Sequence, residues 1–193
     1  MTASVASEFE AALEALDVTV SRVGADGFRT HVEELVEPPA VGVALGETFD
    51  DPALSLDGTS VEVDPTPATL RTATTGVTGG SLGIADYGSV VLSMTGDASE
   101  LVSLFVDRHV AVVRESDVVA DMDTAIDDIG EEFGQNGGSA VLATGPSATA
   151  DMGALVKGAH GPREVHVVVL TEDGDGTDDD SDASEAAEVG EER

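Results

Sequence analysis

At 193 residues the chain is the size of one domain, and its 39 acidic against 8 basic side chains give a formal net charge of −31. With no basic patch to displace counterions, nucleic acid and anionic membranes are excluded as partners. Zero cysteines exclude disulfides, thiolate-bound zinc, iron–sulfur ligation and thiol nucleophiles together.

The N-terminal stretch carries Glu8, Glu10 and Glu14 and no basic cluster, so it does not read as a secretory signal. No apolar run approaches the roughly 20 residues of a membrane span, and a cytoplasmic protein is expected. Residues 4–16 place Val5, Phe9, Ala12, Leu13 and Leu16 at helical spacing. A strand is predicted over 18–23, a helix over 28–36 closed by Pro38-Pro39, and a short apolar strand over 41–45. Asp57-Gly58 breaks residues 54–63 with a hairpin or turn signal. Asp64-Pro65-Thr66-Pro67 then opens a short helix over 68–75.

Strands over 82–86 and 89–94 flank Tyr87-Gly88, followed by a helix over 98–105 and a buried strand over 109–114. An acidic amphipathic helix over 121–133 ends at Gly137-Gly138. A strand over 140–143, a helix over 147–156 and a strand over 164–170 complete the pattern. Strands alternating with helices, with continuous apolar runs, predict an α/β fold whose mainly parallel sheet is covered on both faces. Residues 1–63 supply N-terminal helices and strands of the same domain, and residues 64–171 its core. Residues 172–193 are Gly, Asp, Ser and Glu with hardly an apolar side chain, and read as a disordered acidic tail. Aromatics make up only 3% of the chain, so the core must be aliphatic. The acid excess and the single lysine, Lys157, read as adaptation to molar salt, where the Debye length is about 3 Å.

Two blocks carry the functional signal. In residues 74–92 the glycines fall at 76, 79, 80 and 83, which is neither a Walker loop nor Gly-x-Gly-x-x-Gly. Thr78, Gly79 and Gly80 offer close backbone approach and N–H groups, and Asp86 is an acid at a strand end. In open α/β sheets ligands gather at the strand carboxyl ends. The competing reading is that these glycines only make turns and Asp86 caps one. In residues 143–170 a strand runs through Gly145-Pro146-Ser147 into the predicted helix start. That aims N–H groups and the positive helix end at a carboxylate or phosphate. Ser147 and Thr149 add hydroxyls, Asp151 is either a first-turn acid of that helix or a site carboxylate, and Lys157 beside Arg163 is either an anion contact or a surface lysine. His160 and His166 read as structural histidines rather than metal ligands with Asp151, since nothing like His-Glu-x-x-His is present. No motif asks for a metal or an organic cofactor.

Together the blocks resemble the LUD domain of the LutC/YkgG family of lactate-utilisation proteins. The matching pieces are Gly76-Val77-Thr78-Gly79-Gly80, Ile84-Ala85-Asp86-Tyr87-Gly88-Ser89-Val90-Val91-Leu92 and His109-Val110-Ala111-Val112-Val113. Thr144-Gly145-Pro146-Ser147-Ala148-Thr149-Ala150-Asp151 and Gly158-Ala159-His160-Gly161-Pro162-Arg163-Glu164-Val165-His166 complete them. The resemblance makes residues 64–171 the LUD core. It implies a three-layer α/β/α fold of the NagB/RpiA/CoA transferase-like kind. It also implies a part in oxidising L-lactate to pyruvate beside iron–sulfur oxidoreductase subunits.

Two departures bear on catalysis. The family usually has Glu-Thr-Gly at Asp86-Tyr87-Gly88, and the Glu-x-Gly is similar to the CoA-transferase turn whose glutamate attacks a thioester. Aspartate is shorter by more than about 1 Å, against a tolerance of about 0.5 Å. Gly153 stands where the family commonly has an acid. The expectation is therefore an accessory subunit of a lactate-oxidising system that binds a small anion or a partner. The alternative is a stand-alone isomerase/CoA-transferase-like enzyme using Asp86 on a phosphorylated or thioester substrate.

Overall fold

The computed structural model describes residues 4–93, 99–151 and 154–172. Gly153 and all of the expected acidic tail except Glu172 lie outside the described residues.

The first half of the chain runs α1 (Val5–Ala15), β1 (Thr19–Gly24), α2 (Phe28–Leu35), β2 (Ala40–Gly42), α3 (Leu45–Thr48), β3 (Val61–Val63), α4 (Pro67–Leu70) and β4 (Thr75–Gly79). It continues through β5 (Leu82–Ile84), β6 (Ser89–Ser93), α5 (Ser99–Leu104), β7 (Arg108–Arg114), β8 (Val118–Val119) and α6 (Met122–Asn136). The last elements are β9 (Ala140–Thr144), β10 (Ala148–Asp151), β11 (Ala154–Lys157) and β12 (Glu164–Thr171). Side chains start the helices where the sequence signals them: Ser4 accepts from the Ser7 N–H at α1, and Asp121 from the Thr124 N–H at α6.

Six strands form one sheet in the order β1-β12-β7-β4-β2-β3, and every neighbouring pair is parallel. Parallel strands are stable when both faces are covered, and the side-chain alternation shows how. On one face Val77, Val110, Val112 and Val168 pack with Phe28 and Val32 of α2 and Val102 of α5. On the other, Ala111, Val113, Val167 and Val169 pack against Phe9 and Leu13 of α1 and Val90 and Leu92 of β6. The second outer layer thus combines α1 with a smaller sheet, order β8-β5-β6-β9. The far side of that sheet, through Ile84 and Val91, holds Ala125 of α6. The arrangement is three-layer α/β/α around a mainly parallel sheet, as expected.

One local expectation is narrowed and two change. The Asp57-Gly58 turn forms, with Gly58 at φ +84°, but β3 beyond it pairs in parallel with β2 rather than folding into a hairpin. The helix expected over 68–75 stops at Leu70, and Thr75 instead opens the central strand β4. β4 is buried throughout, and a Cβ at Gly76 would strike the Val102 carbonyl oxygen of α5. Glycine is used there for helix–sheet approach rather than for a ligand loop.

The helix expected over 147–156 is the antiparallel pair β10–β11, with Thr149 opposite Val156 and Asp151 opposite Ala154. Ala148, Met152, Leu155 and Val156 have helical spacing in the sequence. The hairpin stands apart from both sheets, so nothing decides between the periods until the two strands meet.

Candidate functional site

A cleft of about 710 Å³ lies within the size range of small-molecule sites. Its walls are mostly apolar, with Leu16, Leu104, Val141, Leu142, Pro146 and Pro162 among them. Gly145, Ser147, Thr149, Lys157 and His160 supply the polar rim, and His109 the floor. The cleft opens at the carboxyl end of β9 but at the amino ends of β7 and β12, where His109 and Val165 lie. This departs from the strand-end expectation for the main sheet. At the opposite end a smaller hollow of about 290 Å³ is lined by Arg114 and Leu170. Its guanidinium is already committed, donating to the Phe49 carbonyl and lying 5.2 Å over the Phe49 ring.

The sequence-predicted residues divide between places. Gly145, Ser147, Thr149 and Lys157 meet at the cleft. Gly145 takes φ +66°, which turns the chain from β9 toward the hairpin. The Ser147 N–H donates to the Pro162 carbonyl and its own carbonyl accepts from Gly158 N–H, so the block is tied across its base. The Ser147 hydroxyl accepts from the His160 N–H at 3.3 Å. Lys157 reaches Asp17 at 3.2 Å, an acid at φ +60° in the link between α1 and β1. Asp151 lies on β10 opposite Ala154.

The remaining predicted residues sit elsewhere. Gly79 and Gly80 are buried, and the Gly80 N–H is spent on the Val112 carbonyl at 2.7 Å. A Cβ at Gly79 would stand 2.8 Å from Thr48, so these glycines serve packing. Asp86 is exposed in the single-turn helix of residues 85–87, whose following Gly88 lies against α1, and it is not among the cleft-lining residues. Arg163 is exposed beside Asp107 at 3.5 Å. It borders a separate hollow of about 240 Å³ shared with Arg108, Lys157 and His166. Because Ala148–Asp151 and Ala154–Lys157 are paired strands, among the described residues no helix starts after Ser147 to aim a positive dipole end at an anion in the cleft.

The histidines are also separated. His166 hydrogen-bonds Ser21 at 2.7 Å, as does His31, so one hydroxyl bridges two imidazoles. Burial, then the neighbouring His31 and Arg108, push His166 down to about 4. His160 lies at the cleft. Among the described residues no group of three His, Asp or Glu side chains is arranged to hold a metal ion.

One residue that motif reading did not single out as a site residue is His109. It is 1% exposed, and its Nε2 lies 2.7 Å from the Thr78 hydroxyl on the neighbouring strand. Burial pushes its pKa down to about 4, so the ring is neutral near pH 7. The available signal was a lone imidazole at the head of the Val110-Ala111-Val112-Val113 run. Thr78, expected to offer close backbone approach and N–H groups to a ligand, is buried on β4, and its hydroxyl pairs with this ring.

The comparisons fall on this architecture. The family described as the LUD domain matches residues 6–170. The chain belongs to the LUD domain family. A relative from Deinococcus radiodurans, named lactate utilization protein C, is 30% identical over 154 residues, covering 73% of this chain and 72% of the relative. The crystal structure of a DUF162 family protein from the same organism superposes with a TM-score of 0.66 at 22% identity, covering 88% of this chain and 99% of that one. That likeness speaks for the fold. Both blocks lie inside the matched span, and this chain's Gly145-Pro146-Ser147 and His160-Gly161-Pro162 segments both line the cleft.

Proposed function

We propose that this LUD domain chain is an accessory subunit of a lactate-utilisation system that oxidises L-lactate to pyruvate. The observation that carries the reading is the relationship to lactate utilization protein C over about three-quarters of both chains. Support for an accessory rather than a self-sufficient role comes from the chain's chemistry. It has no cysteine to hold an iron–sulfur cluster by thiolates, so electron transfer through such a cluster would belong to a partner oxidoreductase subunit. The cleft supplies a binding site for a small anionic ligand, with Gly145, Ser147, Thr149 and Lys157 around its rim. The stand-alone isomerase or CoA-transferase reading needs Asp86 beside a bound substrate, and that acid lies outside the cleft lining.

The reading is tested by deleting the gene and growing the cells on L-lactate as sole carbon source. Loss of growth, restored by the intact gene, is expected; normal growth would remove the pathway assignment. Purification in molar salt is expected to bring down a cluster-bearing protein with the chain. Turnover of a sugar phosphate or acyl-CoA by the isolated chain would favour the alternative.

A further inference from the structure

The floor of the cleft holds a polar side chain whose hydrogen bonding is half used. His109 is buried at the start of β7 and lines the cleft, and its Nε2 is paired with the Thr78 hydroxyl. Its Nδ1 has no protein partner among the described residues. The one sealed and unpartnered side-chain polar atom among them is Glu100 Oε2, so Nδ1 is not wholly sealed, and the ring that carries it lines the cleft. A buried polar group is kept where something satisfies it. Here the protein satisfies one nitrogen and leaves the other for a ligand.

The Thr78 hydroxyl decides what that nitrogen offers. A hydroxyl both donates and accepts, and it rotates between the two. When Thr78 donates to Nε2, the ring carries its proton on Nδ1 and presents a donor. When Thr78 accepts from Nε2–H, Nδ1 presents a lone pair. The first state suits a carbonyl oxygen and the second a hydroxyl, without any change of charge in the site. Lys157 lines the same cleft, and its ammonium spends one N–H on Asp17, leaving two for a carboxylate. The apolar walls and a volume of about 710 Å³ leave room for an organic body larger than a methyl group.

We propose that Thr78 and His109 form a tautomer-switching anchor at the floor of the cleft for the C2 oxygen of a 2-hydroxy or 2-oxo carboxylic acid. This deepens the proposed function and rests on it for the identity of the acid pair. His109 donates through Nδ1–H to the oxo form and accepts at Nδ1 from the hydroxyl of the reduced form. Lys157 pairs with the carboxylate. Apolar substituents at C3 lie against Leu16, Leu104 and Val141.

The test uses the full chain in molar potassium chloride with ¹⁵N-labelled histidine, titrated with pyruvate, L-lactate, phenyllactate and propionate. The ring nitrogens of His109 report the tautomer directly. Pyruvate is expected to shift the proton toward Nδ1, and L-lactate toward Nε2. Propionate, which lacks the C2 oxygen, is expected to bind about tenfold more weakly than lactate, the worth of one hydrogen bond. Phenyllactate is expected to bind more tightly than lactate because it buries more apolar surface.

Thr78→Val keeps the side-chain shape and removes the hydroxyl. It should abolish the difference between the two acids' effects on the ring and weaken both about tenfold. Ring resonances unmoved by saturating pyruvate and lactate would overturn the proposal, as would the same shifts from propionate. If Thr78→Val does not fold, the wild-type resonances decide alone. A deletion strain that fails on lactate while His109 ignores both acids would leave the pathway reading standing and remove this site. Binding at His109 in a chain whose deletion leaves growth normal would do the reverse.

Discussion

At the scale of single residues, His109 connects stability to pH. Its folded-state pKa is held near 4 by burial, against an ordinary value of 6.5. The unfolded chain therefore binds a proton that the folded chain refuses, and stability rises with pH across that window. The contribution is complete above about pH 6.5 and is lost as the pH falls to about 4. The difference of about 2.5 pKa units corresponds to on the order of 3 kcal/mol. His166, depressed by burial, His31 and Arg108, acts in the same direction and window. Urea unfolding in molar salt at stepped pH is expected to show this decline. His109→Gln should flatten its slope, and an unchanged slope would show that folding does not lower the His109 pKa. The valine run marks this residue as belonging to a buried strand. Its partner Thr78 is thirty-one positions earlier, a pairing that strand neighbours create and no local pattern announces.

At the scale of elements, the position of α1 depends on the turn at residues 85–88. Gly88 takes φ +57°, and a Cβ there would come 2.9 Å from the Ala12 backbone carbon. Gly88→Ala combines left-handed strain with a clash against backbone that cannot move without shifting the helix. It should cost roughly 2–3 kcal/mol, read as a lowered urea midpoint. Phe9, which packs beside Gly83 and is fully buried, is expected to become more accessible to quenching or exchange in the same variant. Retained wild-type stability would mean that α1 is not anchored by this turn. Element type was legible where burial imposed one period, as in β7, β12, α2 and α6. It was not legible at residues 147–156, where alanine, threonine and valine support either period and no core face chooses. The consequence reaches the site, because an expected helix dipole is replaced by a hairpin rim.

At the scale of the molecule, net charge dominates. The few cations are used between elements: Arg22 ties Glu10 of α1 to Glu115 beyond β7, and Arg108 joins Glu37 and Glu164. Exposed pairs of this kind contribute at most about 1 kcal/mol each, far short of offsetting a formal charge of −31. We propose that screening by salt supplies the rest. The Debye length is about 3 Å at 1 M and about 10 Å at 0.1 M, so repulsion between surface carboxylates reaches further as salt is removed. The thermal midpoint is expected to fall as potassium chloride is lowered below about 0.5 M, followed by circular dichroism. A cooperative transition at an unchanged temperature in dilute buffer would contradict adaptation to high salt. No helix among the described residues is long and apolar enough to cross a membrane.

What the amino-acid order determined by itself was the alternation of apolar runs, and with it a parallel sheet covered on both faces. Continuous burial of β7 and β12 leaves no polar side for water, and aliphatic runs of that length specify little else. The two motif blocks likewise identified the family without coordinates, because their residue order is specific. Only the tertiary structure decided which members of those blocks share a site. Asp86 and the 76–80 glycines went to a helix-bearing turn and a buried strand, while Gly145, Ser147, Thr149 and Lys157 converged. Convergence depends on sheet order and on the hairpin, which are set by packing between residues far apart in the chain. The same packing brought Thr78 against His109 and placed that imidazole, with one ring nitrogen bonded, at the cleft.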